Sequence, residues 1–251
     1  QWTVWSSKGL TVKQSSSVRT IEVERPAGFP TPDELFITGT ASEGGDELAA
    51  AMPFVKTGAT TFEIYTKLSP GDYNFVTRKS GEADSFYIDT ETKLRKDGET
   101  TFDGAEAVYR IRVDFSDGTT SMATIDKVEL WFPPNGEYLF SFEYAGNGTW
   151  EALDKYIEFK QESWGRDERY KFKFTVTTDG STQEEWFGSV NGDNNQPNQD
   201  TADSFYYMVP VSDDYWSNSF KFRAEVDTAN SDLRIFFNAD VPEYTHEITV
   251  L

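Results

Sequence analysis

The chain has 251 residues, no Cys and one His, which excludes disulfide scaffolds, thiol catalysis, Cys-based zinc sites and multi-His metal centres. Its 43 acidic against 23 basic side chains give a net charge of −20, which argues against nucleic acid and against electrostatic attachment to anionic lipid. No apolar run is long enough for a membrane-spanning helix, and 20 Phe, 12 Tyr and 7 Trp favour strands over helices.

In chain order, residues 1–16 read as an N-terminal strand or the remnant of a preceding domain. Val18–Val23 then precedes a Pro-rich break, Pro26 to Pro32. Period-two alternation of apolar and polar residues recurs at Leu35–Ile37, Phe62–Tyr65, Tyr73–Val76, Val108–Phe115, Tyr170–Val176 and Phe220–Val226. Each run is expected to turn one apolar face inward and one polar face to water, as half-buried antiparallel strands do. Turn signals lie between them at Pro70-Gly71-Asp72, Asp97-Gly98, Asp117-Gly118, Asn135-Gly136, Asn147-Gly148 and Asp179-Gly180. Only Glu47–Met52 and Trp150–Tyr156 read as single turns of helix, too short to stand alone.

The pieces repeat. Residues 17–125 and 126–251 each open on an alternating strand (Leu35–Thr38, Val128–Phe132). Each continues through an irregular Gly-bearing stretch to an aromatic after Thr, then to Tyr-x-Phe, then to a late alternating strand (108–115, 219–226). The expected fold class is therefore all-β: two tandem antiparallel β-sandwich domains, immunoglobulin-like or carbohydrate-binding-module-like, meeting near Ile125-Asp126.

The run Leu35-Phe36-Ile37-Thr38-Gly39-Thr40-Ala41, the step Ala51-Met52-Pro53, the strand Gly71-Asp72-Tyr73-Asn74-Phe75 and Tyr109-Arg110-Ile111-Arg112-Val113-Asp114 resemble the carbohydrate-binding domains of SusE/SusF-type proteins. Gly146–Trp150 and Arg169–Phe172 fit the same places in the second repeat. The resemblance implies a lipid-anchored outer-membrane protein of a Bacteroides-type bacterium. It would be displayed at the cell surface and bind a glycan without cleaving it, beside an outer-membrane glycan transporter. Where the family carries a Trp in its opening loop, the first repeat has Glu43–Glu47, so 17–125 reads as a spacer and 126–251 as the binding end.

Sugar rings need flat apolar partners with polar groups at the rim, and Trp and Tyr supply that area at low entropy cost. The aromatics in polar, turn-rich sequence are Trp164, Trp186, Tyr215 and Trp216, with Asn218, Asn191 and Asn194 as polar contacts. A stacking platform on loops is one reading of these; a cap over a sandwich end is the other. Trp131 and Trp150 read as core, and Trp2 and Trp5 as a pair on an edge strand. The polar stretch 191–203 has oxygen ligands at spacings that could hold Ca²⁺, but a solvated hairpin loop is the better reading and no cofactor is expected. No hydrolase, P-loop or dinucleotide motif occurs, so the chain is not expected to be an enzyme. The alternative to glycan binding is a structural or adhesive module that binds a protein.

Overall fold

The computed structural model describes residues 5–8, 11–14, 28–190 and 195–251. The described chain is all-β. Its first strands are β1 Trp5–Lys8, β2 Thr11–Gln14, β3 Phe36–Thr38, β4 Met52–Pro53, β5 Val55–Lys56, β6 Thr61–Leu68 and β7 Gly71–Val76. Then come β8 Ser85–Ile88, β9 Leu94–Lys96, β10 Thr100–Phe102, β11 Ala107–Asp114, β12 Thr119–Phe132, β13 Glu137–Gly146 and β14 Thr149–Ile157. The chain closes with β15 Lys160–Glu162, β16 Gly165–Asp167, β17 Arg169–Thr178, β18 Ser181–Gly188, β19 Val209–Val211, β20 Phe220–Lys221, β21 Ala229–Phe236 and β22 Thr245–Val250. The described residues include three short 3-10 turns and no longer helix.

The sheets are antiparallel. One runs β4-β3-β7-β8-β9, with β10 on β7. The largest runs β19-β18-β17-β12-β13-β14-β21-β22, with β11, β6 and β5 joined in turn to β12, and β20 to β17. Two-residue turns with both central residues at positive φ, Asn147-Gly148 and Asp179-Gly180, close the β13–β14 and β17–β18 hairpins. That is the geometry a twisted ladder demands and Asn-Gly or Asp-Gly supplies.

Three expectations are corrected, and the expected boundary is placed. Trp150–Tyr156 is not helical: it lies in β14, pinned between β13 and β21. Alternation at Phe220–Val226 does not make one long strand. After Phe220–Lys221 the chain enters a 3-10 turn at Ala224–Val226, where only Val226 is buried. The expected boundary at Ile125-Asp126 falls inside β12, at a register shift against β17. Val18–Val23 and Trp2 lie outside the described residues; of Glu47–Met52, Leu48–Ala50 is a 3-10 turn.

The third correction concerns the polar faces. In β6 and β11, Phe62, Ile64, Ile111 and Val113 enter a core with Leu35, Ile37, Phe75 and Phe115. Their opposite face meets water only in part, at Lys67 and Arg112. Tyr65 enters a second core, with Phe142, Trp150, Phe172, Phe174 and Phe237. Arg110 and Glu63, on that same face, are buried. β12 does the same: Met122 packs on the first core, Ala123 and Ile125 in the second. One extra residue at Asp126 then switches the inward parity to Val128, Leu130 and Phe132. Thr177 donates its hydroxyl proton to Asp126 Oδ2 at 2.6 Å and fixes the bulge.

Buried polar groups must be partnered. Arg110 forks onto Glu185 of β18 at 2.5 and 2.8 Å. Burial pushes the Glu185 carboxyl up, but the Arg110 guanidinium outweighs it and holds the carboxyl low. Tyr244 donates to Glu63 Oε1 at 2.8 Å, and Glu63 also pairs with Arg112. Tyr144 and the Asn147 amide both donate to Glu43 Oε1 at 2.9 Å.

His246 is buried among the rings of Tyr170, Phe172, Phe220 and Tyr206, with the Tyr170 hydroxyl 2.7 Å from Nε2. Burial pulls its pKa down to about 3. The ring is uncharged at neutral pH.

Two outcomes follow. Arg110→Met should lower stability by about 3 kcal/mol in urea unfolding, because it strands the half-buried Glu185; Arg110→Met with Glu185→Leu should recover most of it, and equal losses in the single and double variants would refute the pairing. The second outcome concerns His246. Between about pH 6.5 and pH 5 the unfolded chain takes up a proton on His246 and the folded chain does not, so stability should fall as pH falls through that window. A urea series should show this slope in the wild type and its loss in His246→Phe.

Candidate functional site

β17 alternates strictly. Tyr170, Phe172, Phe174 and Val176 go to the core, and Arg169, Lys171 and Lys173 stand on the other face. On that face the neighbouring strands bring rings: Trp131 lies opposite Lys171, Trp186 opposite Lys173, and Tyr138 opposite Trp131. The loop from 212 to 219 folds over the edge of this face and adds Tyr215 and Trp216.

The rings form a chain. Tyr138 contacts Trp131 at 5.0 Å, Trp131 contacts Tyr215 at 5.2 Å, and Tyr215 contacts Trp216 at 4.7 Å. Trp186 meets Trp131 at 6.2 Å and lies nearly parallel to Tyr138 at 6.5 Å. Tyr138 is 37% exposed, Tyr215 43% and Trp216 45%. Most contacts are steep: 89° between Trp131 and Tyr215, 58° between Tyr215 and Trp216. Edge-to-face packing satisfies the ring quadrupoles, but it gives a faceted surface instead of one flat platform.

Cations lock the rings. The Arg169 guanidinium lies 4.3 Å from the Trp216 ring centre and is itself held by Asp167. Lys173 Nζ sits 4.2 Å from the Tyr138 ring centre and bridges Glu129 and Glu184, each at 3.2 Å. Burial would raise the Glu129 carboxyl, yet Lys127 and Lys173 hold it low. Lys171 is fully buried, 5.4 Å from the Trp186 ring centre. Its ammonium donates to the carbonyls of Asp214 and Ser217, the latter at 3.1 Å, and so ties down the ring-bearing loop. Burial lowers the Lys171 pKa, and Asp214 and Asp213 oppose it. Asp214 Oδ1 accepts the amides of Trp216 and Ser217 at 3.0 and 2.6 Å, a local turn that presents Trp216.

The sequence-predicted residues divide. Trp186, Tyr215 and Trp216 come together. Trp186, though, is on β18 and not on a loop. Trp164, 66% exposed, caps the β15–β16 hairpin and makes no ring contact among the described residues. Asn218 sits at positive φ and bonds Ser189 through its side chain (3.0 Å) and its carbonyl (2.8 Å), so it anchors the loop. Asn191 and Asn194 lie outside the described residues, as does the start of the 191–203 stretch. In its described part Asn198 Oδ1 caps the Asp200 amide at 2.9 Å, and no metal-holding group of three acidic or His side chains occurs among the described residues.

Trp131 was expected in the core and is instead half-buried in the ring chain. Its parity carried the signal: it alternates with Val128, Leu130 and Phe132 and shares a face with Glu129. Tyr138, Arg169, Lys171 and Lys173 were missed for want of a long-range partner. Trp150 is core, as expected. No family model and no curated protein matches the chain.

Lys171→Met should free the ring-bearing loop. Two charge-assisted hydrogen bonds, each worth about 1.5–3 kcal/mol, hold it. Chymotryptic cleavage at Tyr215 or Trp216 should therefore speed up by about tenfold or more, and an unchanged rate would show that Lys171 does not hold the loop.

Proposed function

We propose that this chain is a non-catalytic surface glycan-binding protein, built as two β-sandwich units, 17–125 and 126–251, with the site on the second. Two cores, one drawn from 35–115 and one mainly from 123–237, support the division. The observation that carries the function is the run of Tyr138, Trp131, Tyr215 and Trp216 across one polar sheet face, with Arg169, Lys173, Glu129 and Glu184 set among the rings. Rings offer the CH faces of sugars an apolar partner, and the fixed charges at the rim can bond hydroxyls.

The non-catalytic half rests on the sequence, which carries no hydrolase motif. The surface location, lipid anchor and transporter partnership belong to the same proposal and rest on the SusE/SusF resemblance.

A second reading, a module that binds a protein, is favoured by the steep ring angles and the mixing of Arg, Lys and Tyr, which suit an irregular protein surface. Affinity electrophoresis against neutral and acidic polysaccharides separates the two. Retardation on at least one neutral polysaccharide is expected, weakened by about tenfold or more in Trp216→Ala and in Tyr215→Ala. Trp164→Ala, outside the ring chain, should weaken it less. No retardation on any polysaccharide would sink the glycan reading and leave the protein one.

A further inference from the structure

A groove of about 1210 Å³ runs between the outer face of β6, β11 and the start of β12 and the β18–β19 edge. It is larger than most small-molecule sites, which span roughly 300–1,000 Å³. One wall carries hydroxyls: Thr57, Thr61, Thr119, Thr120 and Ser121. The other carries Trp186, Val209, Val211 and Tyr244. Trp186 therefore belongs both to the groove and to the ring chain, and makes the two surfaces continuous.

Two further observations bear on it. The Trp186 indole Nε1 is buried and donates to no acceptor among the described residues. Leaving such a donor unsatisfied costs about 1–3 kcal/mol. The groove floor is also fixed in advance: Glu63 is held by Arg112 and by the Tyr244 hydroxyl, and Glu185 by Arg110. A binding surface that needs no rearrangement keeps more of its contact energy.

The charges set the ligand class. Five carboxylates line the groove (Glu63, Asp114, Glu184, Glu185, Glu243) against two cations, Lys56 and Arg112. Lys56 is turned to the Pro32 carbonyl at 3.1 Å, and Arg112 is spent on Glu63. Glu63, Glu184 and Glu185 are paired with Arg112, Lys173 and Arg110, so a polyanionic chain would meet the remaining charge of Asp114 and Glu243, whereas a neutral one would meet hydroxyls and carboxylates as hydrogen-bond partners.

We propose that this groove is a second binding segment, continuous with the ring chain through Trp186, which takes further units of an uncharged polyhydroxylated chain and rejects polyanionic ones. It rests on the glycan reading above, and the test keeps the two apart. A neutral polysaccharide that retards the protein supplies the probes: its disaccharide, tetrasaccharide and hexasaccharide, titrated by calorimetry. The hexasaccharide should bind about tenfold or more tighter than the disaccharide, a gain of about 1.4 kcal/mol. Ser121→Arg, at an exposed groove position, should remove that gain and leave both the disaccharide affinity and the thermal midpoint unchanged. A galacturonate hexasaccharide should bind at least about tenfold more weakly than the neutral one. Equal affinity at every length, a gain that survives both Ser121→Arg and Thr57→Arg, or equal binding of the acidic chain would overturn the groove while the glycan reading stands. No binding of any glycan would overturn both.

Discussion

The sheet made by β6, β11 and the first half of β12 is covered by core over part of both faces. Ile64, Ile111, Val113 and Met122 press on one core, and Tyr65 and Ala123 on the other. Between the second set stand Arg110 and Glu63, which must be neutralised where they are buried. Glu185 pairs with Arg110, and Arg112 with Glu63, which also accepts the Tyr244 hydroxyl; Glu185 and Tyr244 come from the other half of the chain. The ladder with β17 places β18, and with it Trp186. The ion pair ties that strand to the face of β6 and β11, beside the ring chain and the groove.

A second set of buried cations repeats the logic on β17. Lys171 and Lys173 occupy what looks like a solvated polar face, and both are buried. Each is desolvated, and each recovers that cost from carbonyls, carboxylates and rings. An aliphatic side chain could fill the same space, but it would give the loop at 212–219 nothing to attach to. The lysines determine which rings stand together and at what angle.

Much of this was legible in the sequence, because period two survives burial. Val108–Asp114 and Tyr170–Val176 lie within β11 and β17. Asn147-Gly148 and Asp179-Gly180 form the expected turns. What alternation cannot say is whether the polar face meets water, since that depends on a partner far along the chain: Glu185 for Arg110, Asp214 for Lys171. Phe220–Val226 failed for a related reason. Beyond Lys221 it has no ladder partner, and a strand pattern without one collapses into a 3-10 turn. Trp186 was found by its polar neighbours yet placed on a loop, because Gln183, Glu184 and Glu185 face groove and ion pair instead of marking a turn.

Glu63 and Tyr244 lie 181 residues apart, and that one hydrogen bond says something about the order of assembly. The first core can condense from segments near in sequence, since β6 pairs with β5 and β11, and β11 with β12. Its far face, with Tyr65 and Arg110, stays uncovered until β18 and the turn before β22 arrive. A chain made from its N-terminus thus spends part of its synthesis with an aromatic, charged sheet face open. Closing it is a high-contact-order event, slow by comparison with the hairpins on either side.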